Sequence, residues 1–420
     1  MRESDPLALW EGSMWEKVIQ LQSEEDQWFM WIMGVCIPIS IRSQLRKKIP
    51  RIKILSGIVR RSFLLFLLGL CVNTTGGAQL QSLRVFGVLQ RFGVVYGVVA
   101  CLTTIFTRRS YGQSSISWTA PLQDVLVLLP QWLIMLSLVA VHCFLVFFLD
   151  VPDCPTGYLG PGGRQFDGQY RGCIGGASGY IDRLILGPSH IYQNPTAAQV
   201  YGSGPFDPEG LVGCLLSIFQ VFLGVQAGTI LGFHREWRDR IYRWLTWGSL
   251  AGVIGAILCL ASKDNGWIPV NKNLWSLSFV MVTSCFAFFL LSALYYAIDV
   301  RQWWSGAPFY YPDPYVTTLH PRLRSIRHHT PSTSQIHTSP HSIHVSDPYI
   351  TTLHPRFRSI RMNATIMYVG HEICGNMFPW HWSVGTMNTH MLLLSQDIWG
   401  TLGWILVAYW LHTLNFFLSL

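Results

Sequence analysis

The chain has 420 residues, of which 50% are hydrophobic and only 12% are charged, with a formal net charge of +8. Soluble proteins carry charge on about a quarter of their residues, so this composition excludes an ordinary soluble domain. Long apolar runs alternate with polar connections, which predicts an all-α polytopic membrane protein in a lipid bilayer. The positive charge follows the connecting loops, so we interpret it as a topology signal and predict no nucleic-acid binding.

In chain order, a polar segment (residues 1–26) precedes an apolar run at residues 28–41, which is too short to span comfortably. Counting this run, we predict a bundle of about nine transmembrane helices, since about 20 helical residues cross a bilayer. Arg60 and Arg61 are expected to snorkel from the start of the short second run. The other runs are residues 62–72, 85–106, 125–149, 211–233, 244–260, 274–298, 366–378 and 398–418.

The Lys and Arg residues are concentrated in alternate loops, which fixes a predicted orientation. The basic loops are residues 42–61, 108–109, 235–243 and 301–361, and they are predicted to be cytoplasmic. The long Gly- and Pro-rich loop at residues 150–209 then lies in a lumen or outside the cell. It holds two cysteines, Cys154 and Cys173, and a disulfide between them suits an oxidising compartment, although spacing alone does not establish it.

A low-complexity insert interrupts the membrane domain near its end. Residues 313–327 recur at 347–361 with two changes, and the sequence between the copies is rich in His, Ser, Thr and Pro. Such a composition cannot bury a core, and its histidines lack metal-ligand spacing. We therefore predict a disordered cytoplasmic insert (313–361) without a metal site. It separates the first part of the membrane domain (27–312) from the last two spans (362–420).

Polar residues within apolar runs are costly and mark candidate functional positions. Gln90 and Arg91 lie inside one run, where the arginine is either a cation for an anionic substrate or one half of a structural ion pair. His371 and Glu372 lie within another run. That pair either moves a proton or satisfies another polar group of the bundle, such as Arg91.

Three further features have a structural interpretation. Gly224, Gly228 and Gly232 recur every four residues, so they share one helix face and allow close helix approach, within one chain or between two copies in a homo-oligomer. The sequence Asp-Pro-Glu at 207–209 precedes the same helix, and we interpret its acids as helix caps. Lys272 is either an interfacial anchor or a substrate contact.

Several motifs carry a resemblance. The segments CPTGYLGPGG, GYIDRLILG-x-x-H-x-Y-Q-x-P, DPEG, FLGVQAG, PVNKNLWSLS and YVGHE are similar to those of the heparan-alpha-glucosaminide N-acetyltransferase family. The resemblance implies a multi-pass enzyme of the lysosomal membrane. It implies transfer of acetyl from cytosolic acetyl-CoA, a co-substrate rather than a permanently bound cofactor, to a terminal glucosamine of heparan sulfate in the lumen.

The resemblance also identifies two departures from the family pattern. The family's luminal domain, its first two spans and its proposed catalytic histidine segment are expected to be missing, because no histidine occurs in LWEGSMWEKVIQ before the first run. The insert at 313–361 is the second departure. A catalytically impaired homologue and a small-molecule transporter therefore stay open as alternatives to an active acyltransferase.

Acetyl transfer to an amine requires a general base, and cations that hold the phosphates of CoA. His371 is the predicted base, oriented by Glu372. The predicted CoA ligands are Arg60, Arg61, Gln90 and Arg91, and the predicted sugar ligands are Asp182, Arg183 and Lys272.

Overall fold

The computed structural model describes residues 25–74, 80–107, 123–261, 266–303, 370, 380 and 390–413. Its regular elements in these ranges are all helical, and seven helices are long and apolar enough to cross a membrane, which confirms the predicted fold class. The helices are α1 (Glu25–Arg46), α2 (Arg51–Asn73), α3 (Val88–Phe106), α4 (Gln123–Leu126), α5 (Leu129–Phe148), α6 (Gly176–Leu186), α7 (Thr196–Tyr201), α8 (Leu211–Phe233), α9 (Trp237–Leu258), α10 (Leu277–Tyr295) and α11 (His390–Thr413).

The first helix is longer than the sequence predicted. The apolar run at 28–41 was expected to be too short to span, yet α1 extends over Glu25–Arg46 and its residues Gln27–Arg46 qualify as a span. The expectation was wrong because it counted only the apolar run, whereas the helix continues beyond that run to Arg46. At the other end, the side chain of Gln27 is buried inside the bundle, where a polar residue does not face lipid.

The second helix also begins earlier than its apolar run. The run at 62–72 is only the second half of α2, which begins at Arg51. Arg60 therefore follows the start of the helix by about 14 Å, at 1.5 Å per residue, instead of flanking a short span. Arg60 is exposed on the outer face of α2 and Arg61 is partly buried beside it.

Helix α8 is the centre of the bundle, and 89% of its membrane-spanning window is buried. It packs tightly against α1 through glycine. A Cβ at Gly224 would collide with the carbonyl oxygen of Trp31, a Cβ at Gly228 with that of Val35, and a Cβ at Gly34 with that of Val221. The predicted use of the α8 glycine face for close helix packing is confirmed.

The helices arrange the connecting segments at two ends of the bundle. At one end, called the basic end, Arg51 donates to the carbonyls of Ile105 and Thr107, at 3.1 and 2.7 Å, and Asp124 pairs with Arg243. The other end, called the loop end, holds the long segment at 149–210 together with residues 80–87 and 266–276. The alternation in the sequence between loops rich in Lys and Arg and loops poor in them predicts the same grouping.

The described contacts divide the chain into two units, residues 1–296 and 297–420. In the second unit, α11 overlaps the predicted span at 398–418, and Trp404 on α11 stacks on Trp380 with ring centroids 4.6 Å apart. The insert at 313–361, the run at 366–378, His371 and Glu372 lie outside the described residues.

Candidate active site

The long loop-end segment is anchored to itself by a disulfide. Cys154 and Cys173, the pair suggested by the sequence, are bonded, with their Cα atoms 5.6 Å apart. Helix α6 begins directly after this bond. The disulfide therefore restricts the freedom of the chain that leads into α6, which carries Asp182 and Arg183.

An ion cluster ties this segment to the residues before α3. The Arg84 guanidinium donates to both carboxylate oxygens of Asp207, at 3.0 and 2.6 Å, and also to Glu209. The Asp207 carboxylate is fully buried, whereas the side chains of Arg84 and Glu209 are 22% and 17% exposed. The Arg84 guanidinium also lies 4.5 Å from the ring centroid of Tyr192. Burial alone lowers the pKa of Arg84, but the bonds and charges of Asp207 and Glu209 outweigh it and raise the pKa.

The N-terminus of α8 is capped by a residue far away in the sequence. The N-cap position is Gly210, and the first helical amide, that of Leu211, donates to Oδ1 of Asp182 at 2.9 Å. Asp207 instead accepts from the amide of Tyr192, at 3.2 Å, and pairs with Arg84. The interpretation of the acids at 207–209 as caps of this helix was therefore wrong. Gly210 is required here because a Cβ would collide with the Asp182 carboxylate.

Burial raises the pKa of the Asp182 carboxyl from 3.8 to about 6. The negative charge of Asp207 adds to the increase, while the amides of Leu211 and Val212 and the charge of Arg91 oppose it. At pH values between 3.8 and about 6, the folded state binds this proton more tightly than the unfolded state. This carboxyl therefore favours folding increasingly as the pH falls from 6 towards 4, an effect of about 3 kcal/mol.

We expect Asp182→Asn to remove that pH dependence. The asparagine oxygen still accepts from the Leu211 amide but does not titrate, so the gain in melting temperature between pH 7 and pH 4.5 should be smaller than in the wild type. Thermal melts of both proteins at the two pH values measure the difference. Equal gains would contradict the assignment of the titration to Asp182.

Arg91 and Gln90, both 1% exposed, lie one turn inside α3 at the loop end. Arg91 donates to the carbonyl of Pro208, and its guanidinium lies 4.3 Å from the ring centroid of Trp275. These contacts place Arg91 with the Asp182 and Arg84 residues rather than with the basic end. Nε of Arg91 and both amide atoms of Gln90 find no hydrogen-bond partner among the described residues.

The other predicted ligands are distributed differently. Arg183 donates to the carbonyl of Ile174 at 2.9 Å and so holds the turn that starts α6. Lys272 is partly buried in the turn before α10, where its carbonyl accepts from the amide of Trp275. Arg60 and Arg61 form no ion pair with any described residue. The structure thus brings Asp182 and Arg91 together and places Arg60 and Arg61 on α2.

His190 was not singled out from the sequence, although it stands in one of the motifs. Its Nδ1 lies 2.8 Å from the carbonyl oxygen of Leu83, and its own carbonyl accepts from the amide of Val85 at 3.1 Å. The turn that delivers it begins at Gly187, whose φ of +88° favours glycine. His190 is therefore hydrogen-bonded to the residues immediately before and after Arg84. No sequence signal reveals this pairing, because its partners lie in a separate loop.

Two other polar positions are structural in character. Asp124 at the basic end is fully buried and accepts from Arg243 and Gln226, at 2.8 and 3.1 Å. His142 on α5 lines a cavity of about 20 Å³, which has room for one water molecule and not for a sugar. The ion cluster at the loop end is therefore the candidate functional site.

The comparisons with known proteins agree with the motifs. No protein-family model matches the chain. It is 38% identical over 397 residues to the mouse protein named heparan-alpha-glucosaminide N-acetyltransferase, covering 93% of this chain and 53% of that protein. The human protein of the same name is also 38% identical, over 398 residues and with the same coverage. The chain spans about half the length of the curated relatives it matches. The resemblance indicated by the motifs is confirmed: over almost its whole length, this multi-pass membrane chain is related to the heparan-alpha-glucosaminide N-acetyltransferases.

Proposed function

We propose that the chain is a transmembrane N-acetyltransferase. It takes acetyl from acetyl-CoA on the side of the basic end and transfers it to the amine of a terminal glucosamine of heparan sulfate at the loop end. The observation that carries the proposal is the similarity to two proteins named for this activity, collinear over 93% of the chain. The location that follows from the proposal is the lysosomal membrane, with the loop end in the lumen.

The loop-end cluster supports the acceptor half of this function. A glucosamine amine is an ammonium ion in acidic solution, and the partly exposed Glu209 carboxylate offers it a counter-charge. The partly exposed Arg84 guanidinium beside it has donors for sugar hydroxyls. Because Asp207 is fully buried beneath them, the Arg84–Glu209 pair is held in place and is not a mobile surface contact. A group of fixed polar side chains of this kind can bind a sugar through a few well-oriented hydrogen bonds.

Arg60 and Arg61 support the donor half. Two cations inside a candidate span are costly unless they meet an anion or line a polar cavity. Arg60 is exposed, and the described residues supply neither arginine with a carboxylate. The phosphates of CoA provide the missing negative charge, and arginine binds phosphate with two parallel hydrogen bonds. We therefore retain both arginines as ligands of acetyl-CoA.

We expect Arg60→Gln and Arg61→Gln each to raise the KM for acetyl-CoA about tenfold, the effect of losing one charge-assisted hydrogen bond of about 1.4 kcal/mol. The value of kcat should change little, since the phosphates lie far from the reacting carbon. Steady-state kinetics with varied acetyl-CoA measure both constants. Arg171→Gln is the matched control, because Arg171 is exposed at the loop end. An unchanged KM in both variants would remove the arginines from the donor site.

The direct test of the function uses purified protein, acetyl-labelled acetyl-CoA and glucosamine. Formation of labelled N-acetylglucosamine supports the proposal. Uptake of label into proteoliposomes without acetylation would instead indicate a transporter. A folded protein with neither activity would indicate an impaired homologue. His371 and Glu372 stay predicted catalytic residues, and His371→Ala in the same assay examines them.

A further inference from the structure

The His190 imidazole is held in a defined tautomer. Its Nδ1 lies 2.8 Å from the carbonyl oxygen of Leu83. A carbonyl oxygen can only accept, so Nδ1 must carry the hydrogen that bridges them. In the neutral ring, Nε2 then has no hydrogen and presents a lone pair. This is the arrangement by which a backbone carbonyl orients a histidine for proton transfer at its other nitrogen.

The surroundings of His190 fix the ring at the loop-end cluster. The chain on either side of Arg84 is bonded to His190, through the Leu83 carbonyl and the Val85 amide. Two residues after His190, the amide of Tyr192 donates to the buried Asp207 carboxylate, and the Tyr192 ring lies against the Arg84 guanidinium. The partly buried imidazole therefore belongs to the same rigid unit as Arg84, Asp207 and Glu209.

The free nitrogen has no structural task within the described part of the chain. Nε2 of His190 forms no hydrogen bond with a described residue, whereas Nδ1, the backbone amide and the backbone carbonyl are all engaged. Because Nε2 is not engaged by a described residue, it is available to a ligand that carries a proton.

We propose that Nε2 of His190 accepts the proton of the glucosamine amine, an inference that rests on the acetyltransferase function proposed above. Nε2 takes one proton from the ammonium group and frees the nitrogen lone pair. The amine nitrogen attacks the acetyl carbonyl carbon, and the bond from that carbon to the sulfur of CoA breaks. The thiolate takes the second amine proton and leaves as CoA thiol. The imidazolium returns its proton to solvent.

The test compares His190→Asn with His190→Ala in the labelled-acetyl assay. The asparagine amide nitrogen replaces Nδ1 as donor to the Leu83 carbonyl, so this variant keeps the anchor and loses the base. We expect His190→Asn to melt like the wild type and to keep its KM for glucosamine, while kcat falls about 100-fold or more. We expect added imidazole to restore part of the activity of His190→Ala, because it supplies the missing base.

Each contrary result is distinguishable. An active His190→Asn together with an inactive, less stable His190→Ala that imidazole does not rescue would show that His190 only anchors the turn, and would overturn the proposal. Loss of activity in His371→Ala with full activity in His190→Asn would assign the base to His371 and also overturn it. A folded wild-type protein that forms no acetylated glucosamine would instead remove the acetyltransferase function itself.

Discussion

Gly224→Ala is expected to destabilise the protein severely. Gly224 of α8 lies directly against the backbone of α1. A Cβ added at Gly224 would collide with the carbonyl oxygen of Trp31 and lie 3.0 Å from the Cα of Gly34. Both obstacles are backbone atoms, which cannot rotate away, so the two helices must move apart. Overpacking of this kind costs about 3 kcal/mol. The close contact between α1 and α8 is also where their van der Waals attraction is largest.

Gly57→Ala is the matched control. Gly57 also lies inside a candidate span, on α2, and a Cβ added to it has no heavy atom within 4 Å. The same methyl group should therefore be neutral or slightly stabilising, since alanine favours helix more than glycine does. Melting temperature and size-exclusion profile in detergent measure both variants. Equal melting temperatures for Gly224→Ala and the wild type would contradict the helix packing described for the centre of the bundle.

Arg84→Ala is the second substitution that we expect to destabilise the protein severely. The substitution leaves the fully buried Asp207 carboxylate and the neighbouring Glu209 without their cation. Breaking a buried ion pair in this way costs about 3 to 5 kcal/mol, because the remaining charge is buried without a counter-ion. The site should lose acetyltransferase activity together with stability, since the same guanidinium lies over the ring of Tyr192, two residues after His190.

A double variant separates the effect of the uncompensated Asp207 charge from the effect of losing the Arg84 side chain itself. In Arg84→Ala/Asp207→Asn the buried negative charge is absent, so part of the stability should return while activity stays low. Arg171→Ala removes an exposed arginine of the long loop-end segment and should leave the melting temperature unchanged. A double variant no more stable than Arg84→Ala alone would show that the buried charge of Asp207 is not the cause of the loss.

Local patterns predicted the frame of this protein, and long-range contacts determine its site. The four-residue glycine spacing on α8 predicted the close contact with α1, because helix periodicity alone places those residues on one face. The length of α1 was not predictable, since the burial of Gln27 depends on helices that occur later in the chain. The hydropathy pattern likewise placed Arg60 at the end of a span, because it detects apolar runs and not the helical residues that precede them.

The loop-end cluster shows the same limit more clearly. Arg84 and Asp207 are 123 residues apart in sequence, and Asp182 is 29 residues from the amide that it caps. Local sequence gave the acids at 207–209 a capping role, which is the usual task of acids before a helix. In the structure Asp182 caps the helix instead, and Asp207 and Glu209 pair with Arg84.

The most direct measurement follows acetyl across a membrane. Protein is reconstituted into vesicles and the fraction with the basic end outside is determined by protease access to the basic loops. Acetyl-labelled acetyl-CoA is then supplied outside, with glucosamine trapped inside. We predict that labelled N-acetylglucosamine accumulates inside the vesicles, in proportion to that fraction, while CoA thiol appears outside. Acetylated product found only on the side of the acetyl-CoA, or none at all with folded protein, would contradict a transmembrane acetyltransferase.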